Sequence, residues 1–330
     1  MNVYYLGSAL NLSSLYMIAG SGALISIKSG DYNLGGEGQI YLGGFVSAVI
    51  LAGLAETGLP LPLALFLAVS AALISSGLLA ALSAVLKIFR KADFLFTSFI
   101  ASAAIIPFID GLISGPARSK SDNLLATPFI PEAARLPSIL EPSPLNASFF
   151  FALALCAAVW LLIFRTSWGR QLCIFGTSPQ FARYAGFADR RLSLTSALIS
   201  GALHGLAGAA AILGTYFTCH QGFYAVMGWN AFSAALIAGA NPLALIPASF
   251  LMGFMTTYAN RYALFHNFGF DMSSLIQAVI LFLIAFPRPS VFSRAGSSTR
   301  ERAITRAATR ATTRTAAARP RVRDFFRRSQ

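Results

Sequence analysis

Charge is what this chain has least of. Asp, Glu, Lys and Arg make up 11% of its 330 residues, less than half of the roughly 25% usual in a soluble domain. Acidic residues are scarcer still, with 12 against 25 Lys and Arg. With 56% hydrophobic residues and a mean hydropathy of +0.65, this excludes a water-soluble domain and a disordered chain and points to lipid. Three cysteines, Cys156, Cys173 and Cys219, lie too far apart for a disulfide framework or a metal-ligand spacing, and Cys156 and Cys219 fall in apolar runs where they read as buried thiols. There is no Gly-x-x-x-x-Gly-Lys-Ser/Thr loop for nucleotide phosphates, no nucleophile motif and no zinc motif, so the chain alone is not expected to be an enzyme. The N-terminus has no basic region and no small-residue cleavage site ahead of its first apolar run, which therefore reads as a retained span.

What is present is a series of long apolar runs. A spanning helix needs about 20 such residues, and nine segments qualify, near 4–27, 40–57, 61–86, 94–115, 148–164, 194–216, 224–240, 243–262 and 271–287. The expectation is an all-α polytopic transmembrane bundle of about 8–10 spans over residues 1–287. The segments at 40–57 and 224–240 are short enough to be partial or re-entrant. Lys87, Arg90 and Lys91 cluster after the third segment, and Arg165, Arg170, Arg183, Arg190 and Arg191 after the fifth. The positive-inside rule places both clusters in the cytoplasm. That makes 165–193 a cytoplasmic loop and 116–147 an external one. Residues 288–330 carry twelve arginines against Glu301 and Asp324, hence +10 of the +13 net charge. This Thr/Ala/Arg tail reads as a disordered cytoplasmic segment that touches anionic lipid. It has no fold for specific nucleic-acid readout.

One polar stretch interrupts the grease. GDYNLGGEGQIYLGG, residues 30–44, carries six glycines and two carboxylates between two membrane-compatible runs. Irregular backbone survives at membrane depth only when protein covers it or it lines a watery cavity. It is either a plain interhelical loop or a broken helix beside a translocation path.

Three blocks carry a family resemblance. NLGGEGQIYLGG (33–44), TSPQFARYAGFADRRLSLTSALISGALHGLAGAAAILG (177–214) and ALIAGANPLALIPASFLMG (235–253) stand in the same order as the glycine-rich, Asn-Pro-x-Ala-Ala-Arg-Tyr-Ala-Gly and Asn-Pro-Leu-Gly blocks of ABC-importer permeases. The chain resembles the ribose, branched-chain amino acid and nucleoside type of these subunits over roughly residues 20–287. Thr177-Ser178-Pro179, His204 and the Arg-rich tail depart from the pattern. The resemblance implies an inner-membrane permease that works by alternating access and takes up nucleosides or simple sugars. It also implies a separate ABC ATPase holding the ATP and Mg, a second permease chain (paralogue or self), and an external substrate-binding protein or lipoprotein. No cofactor is implied on this chain. The rival from another class is an ion-coupled carrier without an ATPase, using carboxylates such as Glu37 and Glu56.

Local chemistry gives each block a role. Ser178 suits a helix N-cap, Pro179 the first helical position and Gly186 a left-handed stop. The resemblance makes this short helix the coupling element, with Phe181, Arg183 and Tyr184 as contacts to the ATPase and Ala182 and Gly186 permitting close approach. Ala197, Gly201, Gly205 and Ala209 recur at i+4 and form a small-residue packing face. His204 beside them either hydrogen-bonds a neighbouring helix or touches cargo. Asn33, Glu37, Gln39, Asn230 and Asn241 are the other path candidates. Glu37 has a second reading, as a cap on the N–H groups of the helix that follows, and Asn241-Pro242 has one as a plain turn.

Overall fold

The computed structural model describes residues 3–266, except 56, 121 and 122, together with positions 275, 278, 279 and 282. Glu56, most of the 271–287 segment and the 288–330 tail lie outside the described residues. The helices are α1 (Val3–Lys28), α2 (Gly36–Leu54), α3 (Leu61–Arg90), α4 (Phe94–Ser114), α5 (Ser148–Arg165), α6 (Ser167–Thr177), α7 (Pro179–Tyr184), α8 (Asp189–Ala211), α9 (Met227–Ile237) and α10 (Pro242–Phe265). A π turn, Ile212–Tyr216, prolongs α8. Among the described residues, β pairing is confined to two isolated bridges.

Seven of these helices are long and apolar enough to cross a membrane. Of the two segments expected to be partial or re-entrant, one is and one is not. The 224–240 run contains only the 11-residue α9, about 16 Å long, preceded by turns over 217–226. The 40–57 run, expected to be partial, is instead a continuous 19-residue helix, about 28 Å long. It starts four residues early because the glycines of the polar stretch tolerate helical packing against a neighbour.

Burial sorts the helices. α1 lies at the centre, with Leu15, Met17, Ile18, Leu24 and Ile25 almost wholly enclosed. Its serines are satisfied within the helix: Ser13 donates to the Ala9 carbonyl at 2.6 Å and Ser21 to that of Met17 at 2.8 Å. α4 and α5 present Phe96, Phe99, Phe108, Phe150 and Phe151 outward, as a lipid-facing surface does.

Lipid offers no hydrophobic drive between helices, so close backbone approach must hold them. Gly201 and Gly205 of α8 abut Ser76, Ala80 and Ala72 of α3, and Gly43 of α2 sits on Gly205. Gly208 meets the Ile40 carbonyl and the Gly44 amide with no room for a Cβ, whereas a Cβ on Gly53 would meet nothing within 4 Å. Gly208→Leu should therefore lower the detergent melting temperature markedly or prevent folding, while Gly53→Leu should leave it nearly unchanged. A melting scan of the two variants reads this directly, and equal shifts would refute the packing account.

Basic residues gather at one end of the bundle, hereafter the basic end. At the far end the 116–147 segment is fastened to the chain leaving α8. Thr127 donates its N–H to the Cys219 carbonyl at 3.0 Å, and Ile130 to that of Phe217 at 2.9 Å. The same segment holds α8 itself, through Leu136 N–H to the Leu213 carbonyl at 2.9 Å.

Candidate functional site: two helix starts and a cavity

α2 and α9 begin at the same place inside the bundle. Gly228, in the first turn of α9, is pressed against the start of α2: a Cβ there would lie 2.6 Å from the Glu37 amide nitrogen, 2.9 Å from the Gly36 carbonyl carbon and 3.0 Å from the Glu37 Cγ. Two sets of unsatisfied N–H groups and two positive dipole ends thus converge. Glu37 answers them. Its carboxylate faces the backbone N–H groups of Trp229, Gly228 and Val226, so it serves the start of α9 rather than that of its own helix. Its Oε1 is enclosed with no hydrogen-bond partner among the described residues.

Asn33, Gln39 and His204 form a closed network beside this junction. Asn33 Nδ2 donates to Gln39 Oε1 at 2.9 Å and to Ser200 Oγ at 3.0 Å, and Gln39 Nε2 returns a bond to Asn33 Oδ1 at 3.1 Å. His204 Nδ1 lies 2.9 Å from Gln39 Oε1. That oxygen can only accept, so Nδ1 carries the proton. Of the two readings of His204, the structure has it bonded to a neighbouring helix. All three side chains are buried, and each is bonded to at least one of the others.

Asn230 is different. It is 2% exposed. Its Nδ2 donates to the Tyr16 hydroxyl at 2.8 Å, while its Oδ1 has no partner among the described residues. It lines a cavity of about 290 Å³ with Leu12, Tyr16, Tyr216, Phe223, Val226 and Thr256 among its walls. That is near the lower end of the range for small-molecule sites, about 300–1,000 Å³. Three aromatic faces suit a flat or ring-shaped solute. Asn241 does not join them. It is exposed, and its side chain caps α10 through Leu243 N–H at 3.1 Å.

At the basic end the short helix α7 closes as its residue types dictate. Ser178 Oγ accepts from Phe181 N–H at 3.4 Å. Gly186 takes φ +74°, and the Phe187 and Gly186 amides return to the Ala182 and Arg183 carbonyls at 2.9 and 3.0 Å. This is the Schellman stop. Phe181 is 58% and Tyr184 94% exposed, and Arg183 is paired with Asp189 at 3.1 Å. Ala182 is buried against Phe175 and Leu192, so the close approach it permits is to α6 and α8 of its own chain. Burial pushes the Cys173 thiol of α6 above its ordinary range, with Lys28 opposing the shift, which favours the protonated form. In the 217–226 segment, burial likewise raises Cys219 and lowers His220, which favours the neutral imidazole.

Residues 5–285 match the family described as "Branched-chain amino acid transport system / permease component". The chain belongs to that family. It is 33% identical over 281 residues to the probable riboflavin import permease protein RfuC of Treponema pallidum, covering 85% of this chain and 74% of that protein. It is 26% identical over 292 residues to the guanosine ABC transporter permease protein NupP of Bacillus subtilis, covering 86% and 81%. It is 24% identical over 279 residues to the glucose ABC transporter permease protein TsgB13 of Haloferax volcanii, covering 81% and 73%.

The chain is thus a multi-pass permease subunit of an ABC importer in the cytoplasmic membrane, and the ion-coupled carrier is not favoured. Within this permease, sequence reasoning missed four cavity residues, Tyr16, Tyr216, Phe223 and Thr256. Aromatic residues in an apolar run look like any other hydrophobic residue, and the four lie up to 240 positions apart.

Proposed function

We propose that this permease passes a ring-shaped polar solute of the nucleoside, flavin or simple-sugar kind through the cavity beside the α2/α9 junction. The observation that carries the reading is the cavity itself, walled by three aromatic residues and Asn230 where two helix starts converge. Transporters place their sites at such discontinuous helices. The names of its relatives, which handle riboflavin, guanosine and glucose, agree with a cargo of this class.

The basic end, with α6, α7 and the 165–193 loop, faces the cytoplasm, and the 116–147 segment faces outward. A separate ABC ATPase, which holds ATP and Mg, docks on Phe181, Arg183 and Tyr184 of α7. An external binding protein or lipoprotein delivers cargo, and a second permease chain, paralogue or self, completes the pore. Closure of the ATPase displaces α7 and opens the cavity alternately to the two sides.

The test is reconstitution. The complex is purified from its native membrane by a tag on this chain, its partners are identified by mass spectrometry, and it is placed in vesicles with ATP inside and the co-purified binding protein outside. Labelled riboflavin, guanosine and glucose are offered in turn. ATP-dependent uptake of one of them is expected. ATP hydrolysis with no uptake of any of the three would sink the cargo class, and the absence of any ATPase from a folded preparation would sink the docking assignment.

A further inference from the structure

Outside the cavity, the most enclosed ion pair among the described residues lies at the basic end. Asp31 sits in the link between α1 and α2, and its side chain is 8% exposed. A carboxylate so enclosed needs charged and hydrogen-bonding partners. It has both. Lys87, in the last turn of α3, pairs with Oδ1, and Ser193 of α8 donates to Oδ2 at 2.7 Å. One carboxylate thus ties together α3, α8 and the start of α2.

The same lysine reaches toward α7. Lys87 Nζ lies 5.7 Å from the centroid of the Phe175 ring, a cation–π distance. Phe175 packs with Ala182 of α7 and with Leu192, the neighbour of Ser193. The backbones of Gly30 and Gly176 meet with no room for a side chain, so the α1–α2 link cannot slide freely past α6. Two residues beyond Asp31, Asn33 enters the network that fixes Gln39 and His204. A continuous set of contacts therefore runs from the underside of α7, through Phe175, Lys87 and Asp31, to the junction at Gly36.

We propose that Asp31 and Lys87 are a positioning pair that transmits displacement of α7 to the start of α2. The inference rests on the reading of α7 as the ATPase-docking helix. An apolar contact would let the elements slip past one another. This ion pair resists slipping, because separating it strands the enclosed Asp31 carboxylate, even though Lys87 is 33% exposed and the net contribution of the pair to stability is small. α7 and the α1–α2 link therefore move together or not at all.

The test uses the complete importer in vesicles, with Asp31→Asn, Lys87→Met and the exchange Asp31→Lys/Lys87→Asp. Hydrolysis and uptake are measured on the same preparation, and the readout is cargo moved per ATP hydrolysed. Each single variant should keep the ATPase bound and hydrolysing within about twofold of wild type, while cargo per ATP falls about tenfold, inside the range of allosteric couplings. The exchange should restore most of the ratio. If hydrolysis and uptake fall in proportion, or if the exchange stays as low as the singles, the pair only supports the fold and the proposal is overturned. It is equally overturned if the singles match wild type. A wild-type complex that hydrolyses ATP without coupled uptake would instead count against the docking assignment, so the two failures are distinct.

Discussion

A permease carrying Phe181→Ala and Tyr184→Arg should leave the membrane folded but without its ATPase. Both side chains point away from the protein, at 58% and 94% exposure, and neither closes a hydrogen bond that shapes α7. The helix is held by Ser178 at one end and by the Gly186 stop at the other, so its conformation survives the change. Interface energy concentrates in a few aromatic anchors, each worth about 2 kcal/mol or more when truncated. Losing two of them should lower ATPase affinity at least about a hundredfold, and ATP-driven uptake should vanish with it. The measurement is co-purification from detergent beside a melting scan of the permease alone. An unchanged melting temperature with a lost partner supports docking on α7. A retained ATPase would move the docking surface elsewhere.

Ala182 makes the contrast. On sequence grounds it belongs with Gly186 as a residue that permits close approach, and an Ala182→Arg variant looks like a docking probe. In the structure its methyl group is buried against Phe175 and Leu192. An arginine there would drive a charge into that cluster and unfold the loop, so lost docking would report on folding instead.

How much was legible follows the same division. α7 was readable almost to the residue because its determinants are local: a hydroxyl cap, a proline at the first position, a glycine stop. Six of the seven crossing helices were readable as full spans because length and apolar content decide them, while α2, whose glycine-rich start hid its length, was expected to be partial. The small-residue face of α8 was readable because its i+4 spacing is internal to one helix. What was not readable depends on partners across the fold. Asn33, Gln39 and His204 were legible as polar path candidates, but their bonds to one another were not. Glu37 looked like a cap for its own helix, but the N–H groups it faces belong to α9. The 224–240 run was legible as a partial segment from its shortness, but its meeting with Gly36 was not.

Asn230 and Asn241 should separate most sharply of all. In the sequence they are alike, two asparagines flanking one short apolar segment, and both are path candidates. In the structure one is buried in the cavity wall, bonded to Tyr16, and the other is an exposed helix cap. Asn230→Leu replaces the amide in the cavity wall with an apolar side chain and leaves the buried Tyr16 hydroxyl without its donor. At about 1–3 kcal/mol for a buried group left unpaired, ATP-driven uptake should fall about tenfold or more, with the ATPase still bound. Asn241→Leu costs about 1 kcal/mol of stability through the lost cap, and uptake per folded complex should stay near wild type. Tyr16→Phe lies between them. It keeps the aromatic wall but removes the hydroxyl that orients Asn230, so uptake should fall less than with Asn230→Leu. Vesicle uptake at saturating delivery, normalised to folded complex, ranks the three. If Asn241→Leu proves as damaging as Asn230→Leu, the path does not run through this cavity, because the only property that divides the two asparagines would then have no bearing on transport.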